Sequence, residues 1–333
     1  HSNVPTSTNI EILESDIEHT VIQFNLDGFH LIPIETPTGM MNVAKIHDGS
    51  SLLSFGNPDV SKFARSIVIP DNKSMKVNIL NSEYREYQNI LIAPSKGNFS
   101  RKINPEDVEF EFGNIYTKDE FFPENIVELD NPYILRSMRG QTVIFNPLQY
   151  NPISKTLRVY TSINVEIIED GISNINVLSR NNDENKLDKE FYNIYNTHFL
   201  NFKNDTRFDY LVDQGSMLII TYDSFYDTML PLLEWKNRMG LPTSMMRVSE
   251  IGSSTTAIKN YISNLYYDSD LTFVLLVGDI DQIPSPNSGG SMDPSYGHIE
   301  GNDYYAEVII GRFSGSNLAH IETQVSRSIN YEM

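Results

Sequence analysis

The run Leu271 to Val277, LTFVLLV, constrains the fold of this chain more than any other stretch. It shows no polar alternation, is rich in large apolar and β-branched residues, and stops at Gly278-Asp279. That is the pattern of a strand buried on both faces. A second strand is predicted over Ala306 to Ile310, stopping at Gly311-Arg312, with a loop dense in Gly, Pro, Ser and Asp between the two. In parallel α/β sheets, chemistry gathers beyond the carboxyl ends of the strands. Asp279 and this loop are therefore the first functional candidates.

The flanking sequence agrees with a parallel sheet. Met217 to Thr221 reads as a short strand. Phe225 to Met239 has apolar residues at helical spacing and ends at Gly240, with Pro231 inside the pattern. Thr243 to Val248 is a further strand, and a helix begins at Thr255 or Thr256 with Ile258, Tyr261, Ile262 and Leu265 on one face. A final helix starts at Asn317. Alternating strands and helices imply right-handed crossovers and a doubly wound sheet. So short a sheet leaves apolar faces and an edge to cover, and the expectation is that more protein follows Met333.

The first half reads differently. Short alternating stretches such as Thr20 to Phe24, Ser66 to Ile69 and Ile90 to Ala93 are separated by turn formers, among them Asn57-Pro58 and Pro94-Ser-Lys-Gly97. The clearest part is 141–168, with strands at Thr142 to Phe145, Thr156 to Tyr160 and Asn164 to Ile168. Many short strands with closely spaced turns predict an all-β sandwich. From 171 to 207 the composition shifts to Asn, Asp, Glu and Ser, which reads as a polar linker with one short helix near Phe191 to Phe199. The chain thus divides into 1–170, an all-β sandwich; 171–207, a linker; and 208–333, an incomplete α/β subdomain.

Charge and cysteine usage exclude several functions. The formal net charge of −19 argues against nucleic acid as a partner, which calls for basic patches. With no cysteine, the chain has no disulfide, thiolate metal site or cysteine nucleophile. No apolar stretch is long enough to predict a membrane span. His1-Ser2-Asn3 lacks an apolar leader core, so a signal peptide is absent or already removed. Gly289-Gly290 has no Lys-Ser/Thr after it, which argues against a phosphate loop.

Three segments of the second half carry a resemblance: Leu233-Glu-Trp-Lys-Asn-Arg-Met-Gly-Leu241, Thr272 to Asp279 with Ile283-Pro284, and Tyr296 to Phe313. In this order and spacing they resemble the gingipain-type cysteine peptidases, peptidase family C25, whose fold is caspase-like. In the first half, Phe121-Phe-Pro-Glu-Asn125, Arg139-Gly140, Asn146 to Pro152 and Leu157 to Tyr160 are similar to the propeptide that precedes the peptidase in that family. The resemblance implies a bacterial, secreted or cell-surface zymogen of a cysteine endopeptidase that cleaves protein or peptide substrates after Lys or Arg. It also implies that the propeptide is an inhibitor and folding aid, and that the catalytic Cys and His belong to a C-terminal remainder of the peptidase domain. Alternatives are a secretion peptidase acting on sorting signals, or a non-catalytic binding or secretion-associated module on the same scaffold.

Asp279, Asp303 and Glu307 are candidate calcium ligands, because Ca²⁺ takes several carboxylate and carbonyl oxygens and an acidic, Gly-rich loop offers both. The resemblance supports structural calcium here. The alternative is that Asp279 caps a turn while the other two face solvent. In the propeptide, a basic side chain placed in the specificity pocket is the inhibitory device the resemblance implies. Lys118 is the first candidate, ahead of Arg136 and Arg139, against the reading of each as a surface charge. Lys203 and Arg207 are candidate maturation cleavage points in the polar segment. His298 is expected to be a structural or rim residue of the loop, Trp235 to lie in a core or interface, and Arg312 to make a structural salt bridge.

Overall fold

The computed structural model describes residues 6–16, 18–179, 186–204, 211–269, 271–287, 290 and 292–333. They fall into two compact units that interleave along the chain. One comprises His1–Pro132, Gln141–Ser173 and His198–Thr206; the other comprises Tyr133–Gly140, Asn174–Thr197 and Arg207–Met333.

The first unit is built from β-strands. Asn9–Ser15, His19–Asn25, Thr156–Ile172 and Leu148–Asn151 form one sheet in that order, and Lys73–Tyr87 also pairs with Thr156–Ile172. Alternation decides the faces: His19–Asn25 buries Thr20, Ile22 and Phe24 and leaves the residues between them half-exposed. A second sheet contains Ser50–Ser51, Ser61–Val68, Met138–Phe145 and Val127–Leu129. Its Phe63, Val143 and Phe145 join Ile22, Phe24, Ile163 and Val165 of the first sheet in a single core. Phe24 stacks on Phe145 with ring centroids 5.0 Å apart, a favourable offset aromatic distance.

The second unit centres on a four-stranded parallel sheet in the order Thr243–Arg247, Ser216–Thr221, Leu271–Val277, Ile309–Phe313. Successive residues of each strand point to opposite faces. On one face Leu218, Ile220, Val274 and Leu276 pack against Ile258 and Ile262 of the helix Thr255–Asp268. On the other, Ile219, Leu275 and Val277 meet Met229 and Leu232 of Tyr226–Arg238, together with Ile321 and Val325 of Leu318–Glu332. Apolar cover on both sides is why Leu271–Val277 has no polar alternation. Ser254 caps Thr255–Asp268 by accepting the Ala257 N–H at 3.1 Å, and Asn317 caps Leu318–Glu332 through the His320 N–H at 3.1 Å.

Two local expectations shift. The last strand runs Ile309–Phe313, not Ala306 to Ile310, so Gly311 lies inside it and does not end it. Glu307 and Val308 are drawn inward ahead of the strand; both are fully buried, and the Glu307 N–H bonds the Gly297 carbonyl at 2.9 Å. The polar segment 171–207 contributes Lys186–Asp188, paired in parallel with Leu211–Asp213, and the helix Lys189–His198. Asp188 caps that helix by accepting the Phe191 N–H at 2.9 Å. Among the described residues, no helix is long and apolar enough to cross a membrane.

Candidate functional site

Beyond the carboxyl end of Leu271–Val277, the loop is organised by one side chain. Arg312, on the neighbouring strand, donates from Nη1 to the carbonyls of Gly278 and Ile283, each at 2.9 Å. It also grips Asp293 bidentately, Nε to Oδ2 at 2.7 Å and Nη2 to Oδ1 at 2.8 Å. These bonds hold the Asp293 carboxyl below the usual carboxylate range, against the opposing effect of burial. Tyr296 adds a third tie, donating to the Pro284 carbonyl at 2.5 Å. Arg312 thus makes the structural salt bridge expected of it. Asp279 lies at the same end: its Oδ1 accepts the Ile280 N–H at 2.8 Å, and its own N–H bonds Gln282 at 2.7 Å.

Asp303 and Glu307 sit elsewhere. Glu307 precedes Ile309, which is in register with Phe273, whereas Asp279 follows Val277, which is in register with Phe313. The strand from Ile309 to Phe313 alone spans about 13 Å at ~3.3 Å per residue. The carboxylates of Asp279 and Glu307 therefore lie at opposite ends of the sheet. Asp303 and Glu307 also spend their oxygens on the backbone. Asp303 accepts the N–H groups of Ile134 and Tyr305, both at 2.9 Å. Glu307 accepts those of Ile299 at 2.7 Å, Glu300 at 3.0 Å and Arg136 at 3.4 Å. Calcium asks for several free oxygens converging at one point. Among the described residues, no three His, Asp or Glu side chains converge on a metal position, and Asp279 lies apart from Asp303 and Glu307. Burial pushes the Glu307 carboxyl up to about 7, more than its three N–H donors pull it down.

The most elaborate constellation at this end of the sheet surrounds Arg136. Tyr133–Leu135 and Met138–Gly140 form a hairpin with Leu135 opposite Met138, so Arg136 and Ser137 are the whole loop. Arg136 has φ +53°, a left-handed conformation that a two-residue hairpin loop usually assigns to Gly, Asn or Asp. Its Nη1 donates to the carbonyl of Leu271 at 2.8 Å and that of Glu307 at 2.7 Å. Its Nε lies 3.3 Å from Asp188 Oδ2, and the guanidinium carbon is 4.8 Å from the Phe191 ring centroid and 5.3 Å from that of Tyr266. The Tyr195 hydroxyl fastens the turn, donating to the Leu135 carbonyl at 2.9 Å and accepting the Ser137 N–H at 3.1 Å. Burial pushes that hydroxyl up to about 12. Tyr133 stacks on Tyr305 at 3.8 Å.

Of the other residues singled out in the sequence, Lys118 is an exposed side chain 3.6 Å from Glu120, with the 3₁₀ turn Asn114–Thr117 before it. Arg139 is fully buried and donates to the carbonyls of Asn176 at 2.7 Å and Ile175 at 3.0 Å, so it is not a surface charge. Lys203 is exposed in the 3₁₀ turn Phe202–Asn204, and Arg207 lies outside the described residues. His298 is half-buried, and burial lowers its pKa, with Lys259 adding to the effect. The Arg136 hairpin escapes sequence reading because its loop carries no Gly, Asn or Pro; two β-like stretches separated by only two residues are the one signal for it.

Comparison with known proteins matches both halves of the chain. The family model Propeptide_C25 covers residues 2–208, and that of Peptidase family C25 covers residues 211–333. Gingipain R1 of Porphyromonas gingivalis is 37% identical over 332 residues, spanning 97% of this chain and 33% of the relative. Gingipain R2 of the same organism is 36% identical over 330 residues, spanning 97% of this chain and 44% of the relative. The chain therefore spans less than half the length of these relatives. A solved complex of Porphyromonas gingivalis RgpB pro- and mature domains aligns with a TM-score of 0.54 and 34% identity, covering 59% of this chain and 97% of that one.

Proposed function

The chain belongs to the C25 family, propeptide followed by peptidase, and from that premise we propose that it is the proregion and first catalytic subdomain of a bacterial, secreted or surface cysteine endopeptidase precursor. In this reading the β-rich unit is the sandwich of the propeptide, and the parallel sheet is the opening half of a caspase-like domain. The observation that carries the reading is the make-up of the second unit. Residues within the propeptide match, Arg136, Asp188, Phe191 and Tyr195 among them, pack into the same compact unit as the peptidase strands.

The reaction is thiolate attack on a peptide carbonyl, with an imidazole moving the proton and backbone N–H groups receiving the oxyanion. The thiol comes from outside these 333 residues, which hold no cysteine. What this chain contributes is scaffold: Arg312 fixes the loop beyond the carboxyl ends of the strands, where substrate would lie. Cleavage after Arg or Lys is inferred from kinship with the gingipains.

The test is hydrolysis of Arg- and Lys-amide substrates by the full-length precursor after activation. Turnover abolished by a thiol alkylator supports the proposal. An activated, folded enzyme that hydrolyses neither substrate, or is indifferent to alkylation, overturns it.

A further inference from the structure

We infer that the second unit contains a guanidinium-binding pocket at the amino end of its parallel sheet, filled in the precursor by Arg136, and that this occupancy anchors the propeptide hairpin to the peptidase strands. Three features of the geometry point to a site selected for this group and not to incidental packing.

The first is donor matching. The two hydrogens of Nη1 go to the carbonyls of Leu271 and Glu307, while Nε faces Asp188. A planar fork reaches all three acceptors at once; an ammonium, a point charge on a flexible stem, does not reproduce that geometry. The second is enclosure. Phe191 and Tyr266 lie within cation–π distance, and Asp188, 3% exposed in its side chain, is itself held by Thr272 Oγ1 at 3.1 Å and by the Phe191 N–H. The third is backbone strain. A non-Gly residue at positive φ is strained, and it persists only where surrounding contacts over-determine it. Gly would relieve that strain but would lose every guanidinium contact.

Leu271 and Glu307 stand at, or just before, the starts of adjacent strands, so one propeptide side chain bridges the beginnings of both. The pocket lies at the opposite end of the sheet from Asp279 and the Arg312-braced loop. Arg136 is thus a positioning residue that acts on the sheet, away from the end where a substrate would bind. Its role as a propeptide anchor rests on the precursor reading above; the pocket itself does not.

Chemical rescue tests the pocket. Arg136→Gly in the full-length precursor removes the guanidinium and relieves the strain at the same time. Its melting temperature should fall by roughly 5 °C or more, from the loss of charge-assisted bonds. Millimolar methylguanidinium should restore part of that loss, methylammonium should not, and wild type should respond to neither. Arg136→Lys should be destabilised and resist rescue, because its own side chain blocks the site. If Arg136→Gly does not accumulate folded, refolding yield with each additive gives the same reading. An Arg136→Gly protein as stable as wild type, or one rescued equally by methylammonium, overturns the inference. Because neither readout involves hydrolysis, failure here is distinct from failure of the protease assignment.

Discussion

Arg312 and Asp293 form a two-bond ion pair across the loop between neighbouring strands, with N···O distances of 2.7 and 2.8 Å and only 9% of the arginine side chain exposed. Because Arg312 also holds the carbonyls of Gly278 and Ile283, removing it leaves buried acceptors unmet as well as a lone carboxylate. Arg312→Ala is expected to cost about 2–4 kcal/mol, and Arg312→Lys most of that, since lysine lacks the fork. Urea unfolding midpoints measure both. A lysine variant equal to wild type would show that charge alone is needed.

The same pair sets an acid limb. Asp293 titrates below its ordinary value in the folded state, so its contribution is present above pH ~4 and is lost as pH falls through the folded-state value. Asp293→Asn should be less stable than wild type at neutral pH, and the difference should shrink in acid.

Glu307 imposes the opposite slope in a different window. Its folded-state pKa of about 7 lies above the ordinary value of 4.5, so the stabilisation is full below pH ~4.5 and is lost as pH rises through 7. The loss amounts to ~3 kcal/mol at most. Unfolding midpoints between pH 5 and 8 should therefore fall in wild type and flatten in Glu307→Gln. A midpoint that rises over this range would contradict a Glu307 carboxyl pushed up by burial.

For calcium, the prediction follows from separation. Asp279 and Glu307 end up at opposite ends of the sheet, and Asp303 and Glu307 are bonded to backbone N–H groups. Asp303→Asn should destabilise the chain, because the amide keeps one acceptor oxygen where the carboxylate uses two for the Ile134 and Tyr305 N–H groups. The shift in melting temperature on adding a chelator should be the same in this variant as in wild type. A chelator response present in wild type and absent in Asp303→Asn would make Asp303 a calcium ligand.

How far the sequence reached depended on the range of each interaction. Leu271–Val277 and the flanking helices were legible because local periodicity reports which faces are buried, and the alternation of Thr20, Ile22 and Phe24 did the same for the first unit. Gly311 misled because glycine marks turns in general but here lies extended inside an edge strand. The segment 171–207 looked like a linker because its composition is polar, which hid the buried Asp188, Phe191 and Tyr195. Nothing local reveals that Arg136 meets Leu271, 135 residues away, so the interleaving of the two units was beyond sequence pattern. The separation of the calcium candidates escaped for a related reason: residues close in a loop's sequence fall at opposite ends of the sheet that the loop spans.

In the precursor proposed above, propeptide residues sit in the same compact unit as the peptidase strands, so latency should last as long as the propeptide fragment stays bound. The direct measurement is to nick the full-length precursor with trypsin near Lys203–Arg207, then follow fragment association by size exclusion alongside Arg/Lys-amide hydrolysis. The cut fragments should co-elute at first, and hydrolysis should rise only as the propeptide fragment departs. Departure should be faster in Arg136→Gly. Fragments that separate at once without hydrolysis, or full hydrolysis while they remain together, would contradict latency through the bound propeptide.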